Sequence, residues 1–234
     1  MLQAQISIFR STKYASASSG DRVEVVERAR GGFSVVLVDG QGSGRAAKIT
    51  SNLVTTKAIQ LLAEGARDGA VARAVHDFLY TAKNGKVSAT LTLLSVDLET
   101  NTLLVARNGH TPVYLLTSLG LTVLDEIVNP IGVHRSMKPA ITEIPLEPGM
   151  RVLTFTDGVL DAGKRSGRQI TQEEIVEIFL NSDSGAKELY SLAMERDQGR
   201  PTDDTTILGL AIIPLADEAS SIHEMHLSFP VKGG

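Results

Sequence analysis

The segment VVLVDGQGSG (residues 35–44) passes from four apolar residues to an aspartate, Asp39, and then into a glycine-rich loop. Three further aspartates flank strand-like runs: Asp157 ends VLTFTD, Asp203 opens DDTTILGLAII, and Asp21 precedes RVEVV. An unpaired carboxylate at the end of a buried strand is costly to desolvate. Strands that end side by side would form an all-oxygen cluster, which suits Mg²⁺ or Mn²⁺ better than zinc or copper. The pattern therefore favours a hydrolase that uses a hard metal ion.

Around these aspartates, alternation and β-branched runs predict clustered strands, and 3.6-residue periodicity predicts helices grouped in pairs. The predicted strands are residues 5–9, 22–29, 33–38, 88–97, 102–107, 112–116, 121–124, 141–145, 151–156 and 205–213. The predicted helices are residues 44–66, 68–82, 171–180 and 184–196. Close turns between the middle strands favour antiparallel pairing, so the predicted fold class is α+β.

The helices also carry predictions about faces and ends. Thr171 with Glu174 has the spacing of a capping box, and Ser43 and Ser184 are expected to cap helices. The inner faces are predicted to contain Ala46, Ile49, Leu53, Thr56, Ile59 and Leu62 in the first helix and Val71, Val75, Phe78 and Leu79 in the second.

Composition excludes several classes of function. A net charge of -4 argues against a general nucleic-acid binder, and the chain has no apolar stretch of the roughly 18 residues that cross a membrane. The N-terminal residues lack the pattern of a signal peptide, so we expect a cytoplasmic protein. Without cysteine there is no disulfide, thiolate zinc site or cysteine nucleophile. Phosphate hydrolysis would then require a metal ion or another nucleophile.

Five motifs in order carry a family resemblance: DGQGSG (39–44), RNGHTPVYLL (107–116), NPIGV (129–133), LEPGMRVLTFTDGVLDA (146–162) and DDTT (203–206). In this order they resemble the PPM-type, or protein phosphatase 2C-like, metal-dependent phosphatases. The resemblance is strongest to the bacterial branch of SpoIIE, RsbU and RsbX. It implies a single catalytic domain over residues 1–214, built as an antiparallel β-sandwich flanked by pairs of helices. A polar tail (215–234) would follow, with residues 225–229 as a candidate edge strand.

The resemblance also implies a binuclear Mn²⁺ or Mg²⁺ centre. Asp39 would bridge the two ions and the Gly40 carbonyl would ligate one of them, while Asp157 and Asp203 would complete the ligand shell of the second ion. Asp21 would hold metal-bound water, directly or through a hydrogen bond. Spacing alone does not separate Asp203 from Asp204, and the family pattern selects Asp203. A water bridging the ions would attack phosphorus in phosphoserine or phosphothreonine of a protein.

A free-standing catalytic domain is most like RsbX of the stressosome, which implies a phosphorylated STAS-domain protein as substrate and signalling partner. Two other functions stay open: a catalytically silent relative that binds a phosphoprotein, and a metal-dependent hydrolase of small phosphoesters.

Some of these residues also have simpler structural interpretations. Asp39 with Gly40 is a common turn pair, His110 lies in a turn where a lone histidine is usually structural or solvated, and Arg22 could bind phosphate or form a salt bridge.

Overall fold

The ten strands of the chain form two antiparallel sheets, in a computed structural model that describes residues 2–215. Sheet 1 has the order β1 (Leu2–Ser11), β10 (Thr205–Pro214), β9 (Arg151–Phe155), β6 (Val113–Thr117) and β7 (Gly120–Leu124). Sheet 2 has the order β2 (Asp21–Glu27), β3 (Gly32–Gly40), β4 (Ala89–Asp97), β5 (Thr102–Asn108) and β8 (Ala140–Pro145). The helices are α1 (Gly44–Ala63), α2 (Asp68–Lys83), α3 (Gly158–Asp161), α4 (Gln172–Leu180) and α5 (Ala186–Arg196).

Alternation along the strands produces three apolar layers. In β3, Val36 and Val38 pack toward α1 and α2, whereas Val35 faces the core between the sheets. In β9, Val152 belongs to that central core, and Leu153 packs toward α4 and α5. Burying a large apolar side chain contributes about 1.5–3 kcal/mol, so each layer is a substantial source of stability. The predicted α+β class, an antiparallel sandwich flanked by pairs of helices, is confirmed.

The predicted inner face of α1 is correct at Leu62 and at Ile59, which packs partly buried against the core, but it is wrong at the exposed Ala46, Ile49 and Thr56. The buried residues are Ala47, Thr50, Ser51, Val54, Thr55, Ala58 and Leu62, of which only Leu62 was predicted, and Ile49 is 44% exposed. The cause is the short distance between α1 and β3: a Cβ added at Gly40 would lie 2.4 Å from the Ala47 carbonyl oxygen. Small side chains therefore face the sheet. In α2, Val71, Val75 and Leu79 are buried as predicted, but Phe78 is 36% exposed.

The helix ends also differ in part from the prediction. The capping box of Thr171 and Glu174 is present. Ser43 occupies the N-cap position of α1, but its side chain makes no capping hydrogen bond. Ser184 does not cap α5, whose N-cap is Gly185, because Ser184 packs against Gly209 of β10.

Among residues 2–215, no helix has the length and apolar character required to cross a bilayer. The predicted edge strand at 225–229 lies outside the described residues. The end of β10 at Pro214 coincides with the boundary predicted for the catalytic domain, which itself stays a prediction.

Candidate active site

Five aspartates line one open cleft of about 480 Å³ at the end of the sandwich: Asp21, Asp39, Asp157, Asp203 and Asp204. The first two come from sheet 2, whereas the other three lie next to β9 and β10 of sheet 1. The four carboxylates predicted as metal ligands therefore meet in one place although they are far apart in sequence. Gly40 is buried beside Gly20 and is not among the lining residues, so the ligand role of its carbonyl stays a prediction.

Strand register brings Asp21 and Asp39 together. They are direct partners in the antiparallel pairing of β2 with β3. Side chains directly opposite each other share one face of a sheet, and like charges in that arrangement are destabilising. Two ionised carboxylates are stable at this position only if positive charge or hydrogen-bond donors compensate for the repulsion.

Neither Asp39 nor Asp157 has a hydrogen-bond donor or ion-pair partner among the described residues. Burial, followed by the charges of Asp157 and Asp21, raises the pKa of Asp39 to about 8. Burial and the charge of Asp203 also raise the pKa of Asp157, while His110 acts in the opposite direction. These two side chains are the most suited to a cation.

Asp21 has a different environment because hydroxyl groups surround it. Its Oδ2 atom accepts hydrogen bonds from Thr156 Oγ1 at 2.7 Å and from Thr206 Oγ1 at 2.8 Å. Burial is the larger influence and raises the pKa of Asp21 to about 6, although the two hydroxyl bonds lower it. The sequence analysis assigned no role to either threonine. The signal that would have indicated a role for them is a hydroxyl residue next to an aspartate at the end of an apolar strand.

Asp203 and Asp204 are adjacent but differ in their contacts. Asp204 is 6% exposed, and its two oxygens accept backbone hydrogen bonds from Lys13 at 2.8 Å and Gly20 at 2.7 Å. The Asp203 side chain is 32% exposed, and Lys13 Nζ lies 3.5 Å from its Oδ1. Asp204 therefore holds the loop before β2 in place, whereas Asp203 keeps more of its carboxylate accessible.

Of the other residues considered in the sequence analysis, His110 lines the cleft and Arg22 does not. His110 is exposed and lines the cleft together with Gly109. Arg22 pairs with Glu24 at 2.6 Å on the face of β2, which matches its plainer interpretation as a salt bridge. Gln41, Ser88, Thr90 and Asn129 also line the cleft, and none was predicted from the sequence.

The donor set of the cleft fits a hard divalent cation. As the side chains stand, no three acidic or histidine residues within 2–215 are close enough together to form a ready-made metal site. The carboxylates of Asp39 and Asp157 nevertheless have no protein donors and repel each other, and oxygen ligands are those that Mg²⁺ and Mn²⁺ prefer.

Solved structures that match this architecture include phosphatases. The PP2C phosphatase domain with a regulatory fragment of SpoIIE from Bacillus subtilis matches at a TM-score of 0.76 with 18% identity, over 89% of this chain and 63% of that one. The catalytic domain of PstP in complex with two manganese ions matches at 0.70 with 19% identity, over 92% and 100%. RsbX in complex with magnesium matches at 0.70 with 16% identity, over 91% and 100%. The two sheets with their paired outer helices define the PP2C phosphatase fold.

Sequence comparison identifies the family. The family model for Stage II sporulation protein E (SpoIIE) matches residues 29–212, so the chain belongs to the SpoIIE family. Stage II sporulation protein E of Priestia megaterium is 20% identical over 146 residues, which cover 62% of this chain and 25% of that protein. The aligned segment thus spans a quarter of the length of that relative.

Proposed function

We propose that this chain is a metal-dependent protein serine/threonine phosphatase. The observation that carries the proposal is the cleft in which Asp21, Asp39, Asp157 and Asp203 meet from both sheets of a SpoIIE-family domain. In two of these carboxylates, raised pKa values and the lack of protein donors support a cation as the missing partner.

The proposed roles follow from the contacts of each residue. Asp39 and Asp157, which have no protein donors, would hold the cations together with the more accessible Asp203. Asp21, fixed at Oδ2, would present its other oxygen toward a cation or the water on it. Bound Mn²⁺ or Mg²⁺ supplies the Lewis acidity with which water hydrolyses a phosphate ester. A binuclear centre and a ligand role for Gly40 are part of this proposal.

The shape of the cleft supports a protein substrate. The cleft is open, and the apolar Ile127, 81% exposed, stands in its lining beside Val128 and Pro130. Such a mouth admits a phosphorylated side chain that projects from a folded surface. We further propose a phosphorylated STAS-domain protein of a stressosome-type system, in the cytoplasm, on the basis of the likeness to RsbX.

Phosphate release tests the proposal. Purified protein is incubated with phosphoserine and phosphothreonine proteins, STAS-domain proteins among them, with and without Mn²⁺, and a small aryl phosphate serves as a second substrate. We expect Mn²⁺-dependent release from a phosphoprotein that falls at least 100-fold in Asp39→Asn and is unchanged in Asp183→Asn, whose exposed carboxylate lies outside the cleft.

Two other outcomes would contradict the proposal. Turnover of the aryl phosphate alone would indicate a hydrolase of small phosphoesters. Mn²⁺ binding without turnover of any substrate would indicate a phosphoprotein-binding relative that has lost catalysis.

A further inference from the structure

The two sheets are joined at the cleft by a closed ring of hydrogen bonds around Asp21. Thr156 N–H donates to the Thr206 carbonyl oxygen at 2.9 Å, and Thr206 N–H donates to Thr156 Oγ1 at 2.9 Å. Both hydroxyls then donate to Asp21 Oδ2. Thr206 lies in β10 and Thr156 directly follows β9, both of sheet 1, whereas Asp21 is the first residue of β2 in sheet 2. The ring thus crosses from one sheet to the other.

The ring is protected from solvent. Asp21 is 4% exposed, Thr156 2% and Thr206 0%. Hydrogen bonds to an ionised group are stronger than those between neutral groups, and they gain strength where water is excluded. The two hydroxyl donors therefore restrict both the position and the rotation of the Asp21 carboxylate.

The two oxygens of Asp21 are used unequally. Within residues 2–215, every hydrogen bond to this carboxylate falls on Oδ2, and none reaches Oδ1. The main chain of Asp21 is held as well, because Arg10 donates to its carbonyl oxygen at 2.8 Å and its N–H donates to Ser19 Oγ at 3.1 Å. A side chain held at the backbone and at one oxygen can offer only the other oxygen to the cleft that it lines.

We propose that Thr156 and Thr206 are positioning residues, which hold Asp21 across the two sheets so that its Oδ1 faces the cations of the cleft. This inference rests on the proposed function, because it assigns a purpose to the free oxygen of Asp21. Partners that orient a ligand in this way typically change metal affinity or activity 10- to 100-fold when they are removed.

Mn²⁺ titration of valine variants tests the inference. Thr206→Val and Thr156→Val keep the shape of the side chain and remove the hydroxyl. We expect each to bind Mn²⁺ at least 10-fold more weakly in calorimetric titrations and to lower kcat for a phosphoprotein with little change in KM. Thr206→Ser, which restores the donor, should return Mn²⁺ affinity to within about 3-fold of the wild type.

Thr154→Val is the matched control. Thr154 is a fully buried threonine of β9, two residues before Thr156, and its hydroxyl donates to the Pro112 carbonyl oxygen at 3.2 Å, away from Asp21. Its Mn²⁺ affinity should equal that of the wild type. A double variant tests whether Thr206 acts through Asp21. If it does, Asp21→Asn with Thr206→Val should bind Mn²⁺ no more weakly than Asp21→Asn alone.

The outcomes separate this inference from the proposed function. Wild-type affinity in both valine variants, an equal loss in Thr154→Val, or additive losses in the double variant would overturn the positioning role alone. A wild-type protein that neither binds Mn²⁺ nor releases phosphate would overturn both proposals. Should Thr206→Val fail to fold, Thr156→Val, which leaves the Thr206 hydroxyl on Asp21, serves for the same comparison.

Discussion

Asp39 shows how strongly the cleft acts on a single side chain. Its pKa lies near 8 instead of the ordinary 3.8, because burial is the largest influence and the neighbouring carboxylates add to it. The folded chain without metal therefore binds a proton at Asp39 over a pH range in which the unfolded chain has released it. Stability must then fall as the pH rises from about 4 to about 8, since the folded state binds more protons than the unfolded state.

This linkage predicts the behaviour of Asp39→Asn in the absence of metal. In EDTA, the melting temperature of the wild type should fall between pH 5 and pH 8, and that of Asp39→Asn should fall less because asparagine does not titrate. The advantage of the variant should therefore grow with pH. Thermal unfolding followed by circular dichroism measures this, with Asp183→Asn as the control. An equal difference between Asp39→Asn and wild type at both pH values would contradict the assignment.

At the scale of elements, the short helix α3 determines where Asp157 stands. Asp157 is the N-cap of α3, and the first helical residue, Gly158, lies directly against the beginning of β10. A Cβ added at Gly158 would lie 2.1 Å from the Asp204 carbonyl oxygen and 2.6 Å from Thr205 Oγ1. The absence of a side chain at this glycine thus permits the contact that brings Asp157 next to Asp203.

Gly158→Ala should therefore damage both stability and metal binding. We expect a loss of about 3 kcal/mol, at the upper end for overpacking, because the added methyl meets backbone atoms. Gly167→Ala is the comparison: its φ of +68° is strained for alanine, but no atom lies within 4 Å of the added Cβ. That strain should cost about 1 kcal/mol. Urea unfolding measures both variants, and Mn²⁺ affinity should decrease only in Gly158→Ala. Equal losses of stability would contradict the steric argument.

At the scale of the whole molecule, the proposed cation site connects the two sheets. Asp21 and Asp39 come from sheet 2, and Asp157 and Asp203 from the ends of sheet 1. A cation held by both sets would bind the folded sandwich and not the unfolded chain, in which these carboxylates are far apart. Binding to the folded state alone adds about 2.7 kcal/mol of stability at a ligand concentration 100 times Kd.

Mn²⁺ should therefore raise the urea midpoint of the wild type without changing the m value, because the same surface is exposed on unfolding. Asp157→Asn should lose this stabilisation, and Asp183→Asn should keep it. EDTA should reverse the shift. A change in m, or a shift that survives in Asp157→Asn, would place the stabilising ion elsewhere in the chain.

Much of the architecture was predictable from local pattern. The two-residue and 3.6-residue periods of apolar side chains reflect which residues alternate between layers. They located every strand within residues 2–215 and the four longer helices. The aspartates at the ends of these strands also indicated a hard-cation site from local sequence. A carboxylate next to a buried apolar run requires a positively charged or hydrogen-bonding partner. The four-residue α3 was not predicted, since one turn is too short to show a period.

Only the tertiary structure decided which face of α1 is buried and how each carboxylate is used. Because α1 lies close to Gly40, small side chains face the sheet, and the periodicity of apolar residues does not reveal this distance. The difference between Asp203 and Asp204 depends on Lys13 and Gly20, which lie 191 and 184 residues before Asp204 in the chain. The free oxygen of Asp21 depends on Thr156 and Thr206, which lie 135 and 185 residues away. Local sequence determines where the elements form, whereas the close approach of neighbouring elements determines which helix face is buried. Hydrogen bonds between distant elements determine which oxygen remains available for chemistry.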